Sequence, residues 1–561
     1  MMSFTWVMII FFVILIVLSV PLGWYINQVM SGKPVFLHKG LGAIEDRLYK
    51  FLGKNQTSKE MSAKQYAKGV LGVSAISFLL LFILLLCQVF LPGNPNNVPN
   101  MSLSLAFNTT ASFVTNTNWQ AYAGETQVSY LVQMMGLTVQ NFVSAAVGIS
   151  VLFALLRGFK RKNVQTVGNF WQDLTRSILY VLLPLSIIVT ILLMSQGVVQ
   201  NFSANLNIQG LEDGVKQLIP QGPGASQIAI KQLGTNGGGF FGANSSHPFE
   251  NPTLLSNLIE NLSILLIPSS LIMAFGFFMK DLKQGRTIMV VSVLILILST
   301  VGIFLSEVQP LMSDQLITMG NMEGKETRFG IIFSSLWASS TTAVSNGSVN
   351  AMMDSFTPLG GLIPMFLMQL GEIIFGGAGS GLYGMIVFII LTVFIAGLLV
   401  GRTPEYLRKK IDPYDMKMAC IVILTPLMFV LIGTMSYLLL GNAFANINNS
   451  GPHGFSEILY AFTSLANNNG SAFAGLTGDT SFLNIVGGTI MLVTRFIPMM
   501  AVIFLAGNLA NKKQTSISSG TLSTTNVTFM IMLVIVIFVI GALSFFPSLA
   551  LGPIAEFFVS Q

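Results

Sequence analysis

The sequence predicts an all-α polytopic membrane protein. It has about ten transmembrane helices, with four span–half-helix–loop–span modules around a pseudo-fourfold axis and one extra helix at each end. Three observations predict this. Of 561 residues, 52% are hydrophobic and only 9% are charged, against roughly a quarter charged in soluble proteins. Apolar runs of about 20 residues, the length that crosses a bilayer, recur along the chain. One short polar signature appears four times, at Asn116-Thr117-Asn118, Thr235-Asn236-Gly237, Ser345-Asn346-Gly347 and Asn468-Asn469-Gly470. Its intervals of about 119, 110 and 123 residues are regular enough to signal internal repeats.

Taken in order, the chain reads as a single membrane domain over 1–561. Residues 1–68 hold an apolar helix, 5–26, and a polar loop rich in Lys and Arg. That helix has neither a basic leader nor a small-residue cleavage site, so it is expected to stay attached. Repeat 1 covers 69–156, with a half-helix at 101–114 that is too short to span. Repeat 2 covers 174–279 with a half-helix at 224–233, and repeat 4 covers 417–509 with one at 454–466. Repeat 3 covers 287–400, with a half-helix at 330–343. Its second helix is interrupted at Gly376-Gly377-Ala378-Gly379-Ser380-Gly381. Each Gly costs a helix about 1 kcal/mol, so four in six residues open it. A last helix, 528–551, closes the chain.

Charge sets the expected topology. The loops 27–68, 157–176, 280–286, 401–417 and 510–527 carry 23 of the 28 Lys and Arg. Basic loops stay cytoplasmic, so the four polar hairpins are expected outside. The hairpin-side segments are acidic instead, with Glu125, Glu212, Asp213, Glu250, Glu307, Asp314, Glu323, Glu326, Asp354, Glu457 and Asp479. An acidic mouth concentrates cations.

The hairpins carry the chemistry. A bare alkali cation needs several oxygens in place of its hydration shell, and rings of backbone carbonyls from four re-entrant loops supply them in tetrameric potassium channels. Gly permits the torsions such a loop needs, and Asn, Thr and Ser add side-chain oxygens. The candidate filter is therefore Asn116/Thr235/Ser345/Asn468, then Thr117/Asn236/Asn346/Asn469, then Asn118/Gly237/Gly347/Gly470. The first loop lacks Gly, so the filter is expected to be asymmetric. Asn244 is a candidate support for it. Arg495 stands mid-span, where a charge is costly unless it faces a cavity or a partner; it is a candidate barrier below the filter. Glu372, Gly377 and Gly379 flank or form the glycine-rich break and are candidate gate residues.

Other function classes are excluded. There is no Gly-x-x-x-x-Gly-Lys-Ser/Thr loop for a nucleotide, and the longest basic loop, about 42 residues, is too short for a catalytic domain. The chain is expected to be non-catalytic by itself. Cys87 and Cys420 lie in apolar runs, and the three His form no Cys/His cluster. No cofactor and no transition metal are expected.

The motifs Val114-Thr115-Asn116-Thr117-Asn118-Trp119-Gln120, Leu233-Gly234-Thr235-Asn236-Gly237-Gly238-Gly239-Phe240-Phe241, His247-Pro248-Phe249-Glu250-Asn251-Pro252-Thr253 and Leu465-Ala466-Asn467-Asn468-Asn469-Gly470-Ser471-Ala472-Phe473-Ala474-Gly475 resemble the potassium-binding subunit of Kdp-type potassium-transporting ATPases. The resemblance covers essentially the whole chain; Ser345-Asn346-Gly347 is its least distinctive part. It implies a multi-pass subunit of a bacterial inner-membrane complex that selects K+ from outside. The implied partners are a P-type ATPase catalytic subunit, a single-span accessory subunit and a small membrane peptide. It further implies a lateral intramembrane tunnel toward the ATPase subunit, with Arg495 and the break at Gly376 to Gly381 as candidate blockers. Trk/Ktr-type transporters share the fourfold module, and the alternative reading is a stand-alone channel or uptake subunit of that kind.

Overall fold

A computed structural model describes residues 3–53, 57–210, 214, 216–309, 320–515 and 522–559. Among them, ten helices are long and apolar enough to cross a bilayer: Phe4–Met30, Ala63–Leu86, Val132–Lys160, Phe170–Ser195, Leu254–Met279, Leu282–Val308, Ser380–Val400, Pro413–Leu440, Ser481–Asn511 and Val527–Val559. The all-helical fold and the count agree with the sequence. Strand is confined, among the described residues, to three two-stranded ribbons.

Four shorter helices, Leu103–Val114, Gly224–Leu233, Gly330–Ala343 and Gly451–Asn467, precede the four polar loops. At 1.5 Å per residue they reach about 15–26 Å, less than the roughly 30 Å hydrocarbon core. They are nonetheless almost wholly buried, as non-spanning backbone at membrane depth must be. Their small polar side chains fit because they bond within their own helix. Ser335 Oγ donates to Ile331 O at 2.8 Å, Ser340 Oγ to Leu336 O at 2.7 Å and Thr342 Oγ1 to Ala338 O at 2.7 Å.

The two extra helices dock through small residues. Ser19 Oγ lies 2.6 Å from Ser269 Oγ, and a Cβ on Gly23 would meet Ser270 O at 2.6 Å. This close backbone approach packs Phe4–Met30 on Leu254–Met279. At the other end, Gly541 sits against Leu370, and Phe538 packs on Phe366 with ring centroids 5.8 Å apart.

The second span of the third repeat is broken, as its glycines predict, but the break covers 370–379 rather than 376–381, because the chain already leaves the helix at Leu370 and Gly371 and Ser380 opens the next helix. Helix Pro358–Gln369 stops and helix Ser380–Val400 begins ten residues later. Between them Gly371, Glu372, Phe375, Gly376 and Gly379 all have positive φ. The break is thus a folded crossing loop rather than a kink.

Candidate functional site

Each half-helix leads into a loop of the same backbone shape. The first loop residues, Asn116, Thr235, Ser345 and Asn468, have φ of 66°, 52°, 56° and 58°. The third residues, Asn118, Gly237, Gly347 and Gly470, have φ of 51°, 90°, 90° and 102°. The middle residue keeps a negative φ. Alternating hand turns successive N–H groups to one side, and here that side is the half-helix. Thr117, Asn236, Asn346 and Asn469 donate their N–H to Ser112 O, Lys231 O, Thr341 O and Ser464 O at 2.9, 2.8, 3.1 and 2.9 Å. The third N–H groups of loops one and two reach Ser112 O and Lys231 O. Those of loops three and four reach Thr341 Oγ1 and Ser464 Oγ, both at 2.9 Å.

The loops close on one another in sequence order. A Cβ on Gly237 would collide with Asn346 O, one on Gly347 with Asn469 O, and one on Gly470 with Thr117 O. The third residue of one loop therefore touches the middle carbonyl of the next, and only Gly fits there. The first loop carries Asn118 instead, and at that corner Gly238 makes the close approach, against Asn118 O. This is the asymmetry that the missing first-loop glycine predicts.

The side chains brace this ring. Asn236 Nδ2 donates to Asn116 Oδ1 at 2.7 Å, Asn346 Nδ2 to Lys231 O at 3.2 Å, and Asn469 Nδ2 to Thr341 O at 3.0 Å. Asn468 Nδ2 closes the circle on Thr117 Oγ1 at 3.0 Å. Of the side-chain oxygens expected to add to the filter, the Oδ1 atoms of Asn118 and Asn236 are buried with no hydrogen-bond partner among the described residues. The hydroxyls of Thr117, Thr235 and Ser345 are all engaged in hydrogen bonds, the first two within their own loops and Ser345 to the next loop.

The backbone adds a set of free carbonyls. Among the described residues, no N–H or O–H donates to the carbonyls of Thr117, Asn236, Asn346 and Asn469, nor to those of Asn118, Gly237, Gly347 and Gly470. Buried carbonyls are rarely left so. The first ring differs. Thr235 O accepts from Asn116 Nδ2 and Asn468 O from Ser345 Oγ, each at 2.8 Å, so that ring is twofold and half capped.

Cavities mark the two ends. A cavity of about 300 Å³ is lined by Asn118, Gly347 and Gly470 of the third ring, with Trp119, Gln120, Asn244 and Asp479. A chamber of about 70 Å³ is lined by Ser345 and Asn468 of the first ring, with Glu372, Tyr383 and Arg495. The loops thus run from a vestibule to a chamber. Glu372 is 4% exposed and accepts from Asn469 Nδ2 at 2.6 Å. Ala378 N donates to Thr235 Oγ1 at 2.9 Å, and Gly377 lies beside Ser345 and Thr235. Gly379 packs on the backbone of Gly148. Arg495 has no carboxylate within 4 Å among the described residues, so it is not held there by an ion pair.

Asn244 does not offer its oxygen to the loops. Its Oδ1 accepts from Lys231 Nζ at 2.9 Å and its Nδ2 donates to Gln120 Oε1 at 3.1 Å. Behind it lies a group the sequence reading missed. Lys231 and Glu250 form a fully buried ion pair, while Gln232 Nε2 and Ser245 Oγ reach Glu260 at 2.9 and 3.1 Å. The available signal was a Lys inside a half-helix that must be buried. The acidic-mouth expectation holds for Asp479, which is exposed and lines the vestibule, and is corrected for three of its residues. Glu250, Glu307 and Glu457 are fully buried, Glu307 pairing with Lys325 at 2.7 Å. Glu125 stays at the rim, where burial pushes its carboxyl above the usual range. Glu212, Asp213 and Asp314 lie outside the described residues.

Comparison with known proteins shows the fold and the family. A crystal structure of the potassium transporter TrkH from Vibrio parahaemolyticus superposes with a TM-score of 0.50 at 14% identity, covering 78% of this chain and 84% of that one; it shares the fold. A potassium-transporting ATPase potassium-binding subunit from Listeria monocytogenes serovar 1/2a is 60% identical over 551 residues, 98% of each chain. Its counterpart from Clostridium perfringens is 55% identical over 567 residues, 98% of this chain and 97% of that one. Residues 9–558 match the family described as potassium-transporting ATPase A subunit, and the chain belongs to that family.

Proposed function

We propose that this chain is the potassium-binding and selectivity subunit of an ATP-driven importer. The observation that carries the reading is the pair of adjacent rings, middle and third, whose eight carbonyls have no donor. Eight oxygens suit a dehydrated alkali cation, and filters of this kind replace the hydration shell with carbonyl dipoles. Each half-helix also ends at the loop, with its partially negative end toward the ion. The half-capped first ring offers fewer oxygens, so the cation rests between the middle and third rings. The hairpins face outside and the basic loops inside, in a bacterial inner membrane.

Below the chamber the cation turns sideways. Arg495 opposes a direct descent by charge repulsion in a low-dielectric site. Glu372 and the crossing loop at Gly377 and Gly379 block the same route. A second cavity of about 50 Å³ shares Gly371, Gly384, Val422, Pro426 and Asn467 with the chamber and reaches Ile540, Gly541 and Phe545 of the last helix. That supports a lateral path toward a partner. The partner supplies ATP hydrolysis, as a P-type ATPase catalytic subunit; a single-span subunit and a small peptide complete the complex.

Calorimetry of the purified chain tests the filter. K+ is expected to bind at one site, and Na+ at least about tenfold more weakly, a difference of about 1.4 kcal/mol. Equal affinities would remove the selectivity assignment. A flux assay in liposomes tests the barrier. Arg495→Ala is expected to raise passive K+ flux through the chain, and an unchanged flux would show that Arg495 does not guard the exit. Appreciable ATP-independent flux through the wild type would instead favour a channel of the Trk/Ktr kind.

A further inference from the structure

Asp354, His453 and Glu457 meet at the N-terminal end of the fourth half-helix, away from the chamber. Each offers one ligand atom, and these atoms lie within 4.8 Å of one another. We propose that these three residues bind a divalent transition cation, with Glu556 orienting the imidazole from behind.

The imidazole is already held as a metal ligand would be. His453 Nδ1 lies 2.8 Å from Glu556 Oε1, and Nε2 lies 3.1 Å from Asp354 Oδ1. A metal-bound His almost always gives its other ring N–H to a carboxylate or carbonyl, which fixes the tautomer. Glu457 adds an independent sign. It is 0% exposed, and Asn449 Nδ2 donates to its Oε1 at 2.7 Å, but its Oε2 has no hydrogen-bond partner. An unmatched buried carboxylate oxygen is costly unless it ligates or pairs. Gly475 lets the two carboxylates come together, since a Cβ there would press on Glu457 Oε1 and on Asp354 Oδ2. Three carboxylates surround one imidazole, and among the described residues no Lys or Arg is ion-paired to any of them. Excess negative charge remains even with the imidazole protonated.

The donor set names the class of ion. One imidazole and two carboxylates suit Zn2+ or Mn2+, with water in the remaining coordination positions. Such an ion would tie the segment after the third loop to the fourth half-helix and, through Glu556, to the end of the chain. The competing arrangement is a plain ion pair. Burial lowers the pKa of His453, but its bonds to Asp354 and Glu556 outweigh this and raise it to about 10. A metal has to displace that proton.

The test is titration of the purified full chain with Zn2+ and with Mn2+ near neutral pH, followed by X-ray absorption at the metal edge. One ion per chain with a single imidazole in its shell is expected. Glu457→Gln and His453→Gln should each weaken binding at least tenfold, and Glu556→Gln by roughly 10–100-fold, with K+ binding retained as the sign of an intact fold. Absence of a one-to-one site for either metal, or an affinity unchanged in both Glu457→Gln and His453→Gln, would overturn the proposal and leave His453 as an ion-pair clamp.

Discussion

Gly237→Asp is expected to abolish selective K+ binding. Gly237 has φ of 90° and no room for a Cβ, which would strike the carbonyl of Asn346. Forcing a side chain there costs about 1–3 kcal/mol of backbone strain and roughly the same again in overpacking. Relief comes only by moving one loop away from the other, which spoils both the middle ring and the third ring at that corner. At about 1.4 kcal/mol per tenfold, the loss is on the order of 100-fold or more. The carboxylate adds a fixed charge among carbonyl oxygens. Gly237→Ala separates the two effects: it keeps the collision without the charge and should still lose at least about tenfold. Calorimetry with K+ and Na+ reads both variants, and wild-type affinity in Gly237→Asp would remove the second loop from the ion path.

Lys231→Met is the second large effect, and it acts on the fold that holds the candidate filter. Lys231 and Glu250 are both 0% exposed and paired. Removing the ammonium leaves the Glu250 carboxylate buried without a cation, with Glu260 close behind it around Ser245. Breaking a buried pair in this way costs about 3–5 kcal/mol, whereas replacing both partners is often nearly neutral. Thermal denaturation in detergent should therefore show a marked drop for Lys231→Met, with substantial recovery in Lys231→Met/Glu250→Gln. The carbonyl of Lys231 anchors the N–H groups of Asn236 and Gly237, so K+ affinity should fall and recover with stability. A single variant as stable as the wild type would show that this buried pair does not hold the fold.

Much of this protein is written locally in its chain. Apolar length alone marks the ten spans. That the third repeat is broken follows from four glycines in six residues, though the start of the break at Leu370 does not. The loops are legible because Asn and Gly tolerate left-handed torsions and fill the third position of every signature, although Thr235 and Ser345 take the same torsion at the first. These properties depend on a residue and its near neighbours, so sequence by itself determined them. Tertiary structure decided the rest. It placed each third-position Gly on the middle carbonyl of the following loop, turned the amide side chains into braces, and capped the first ring at alternate corners. It took Lys231 and Glu250 out of water, and it brought Asp354 to His453 and Glu457 from about a hundred residues away. Hydrophobicity and torsional preference belong to a residue. Burial, pairing and the sharing of a donor belong to the neighbours that folding supplies, and in a four-module ring many of those neighbours come from the adjoining copy.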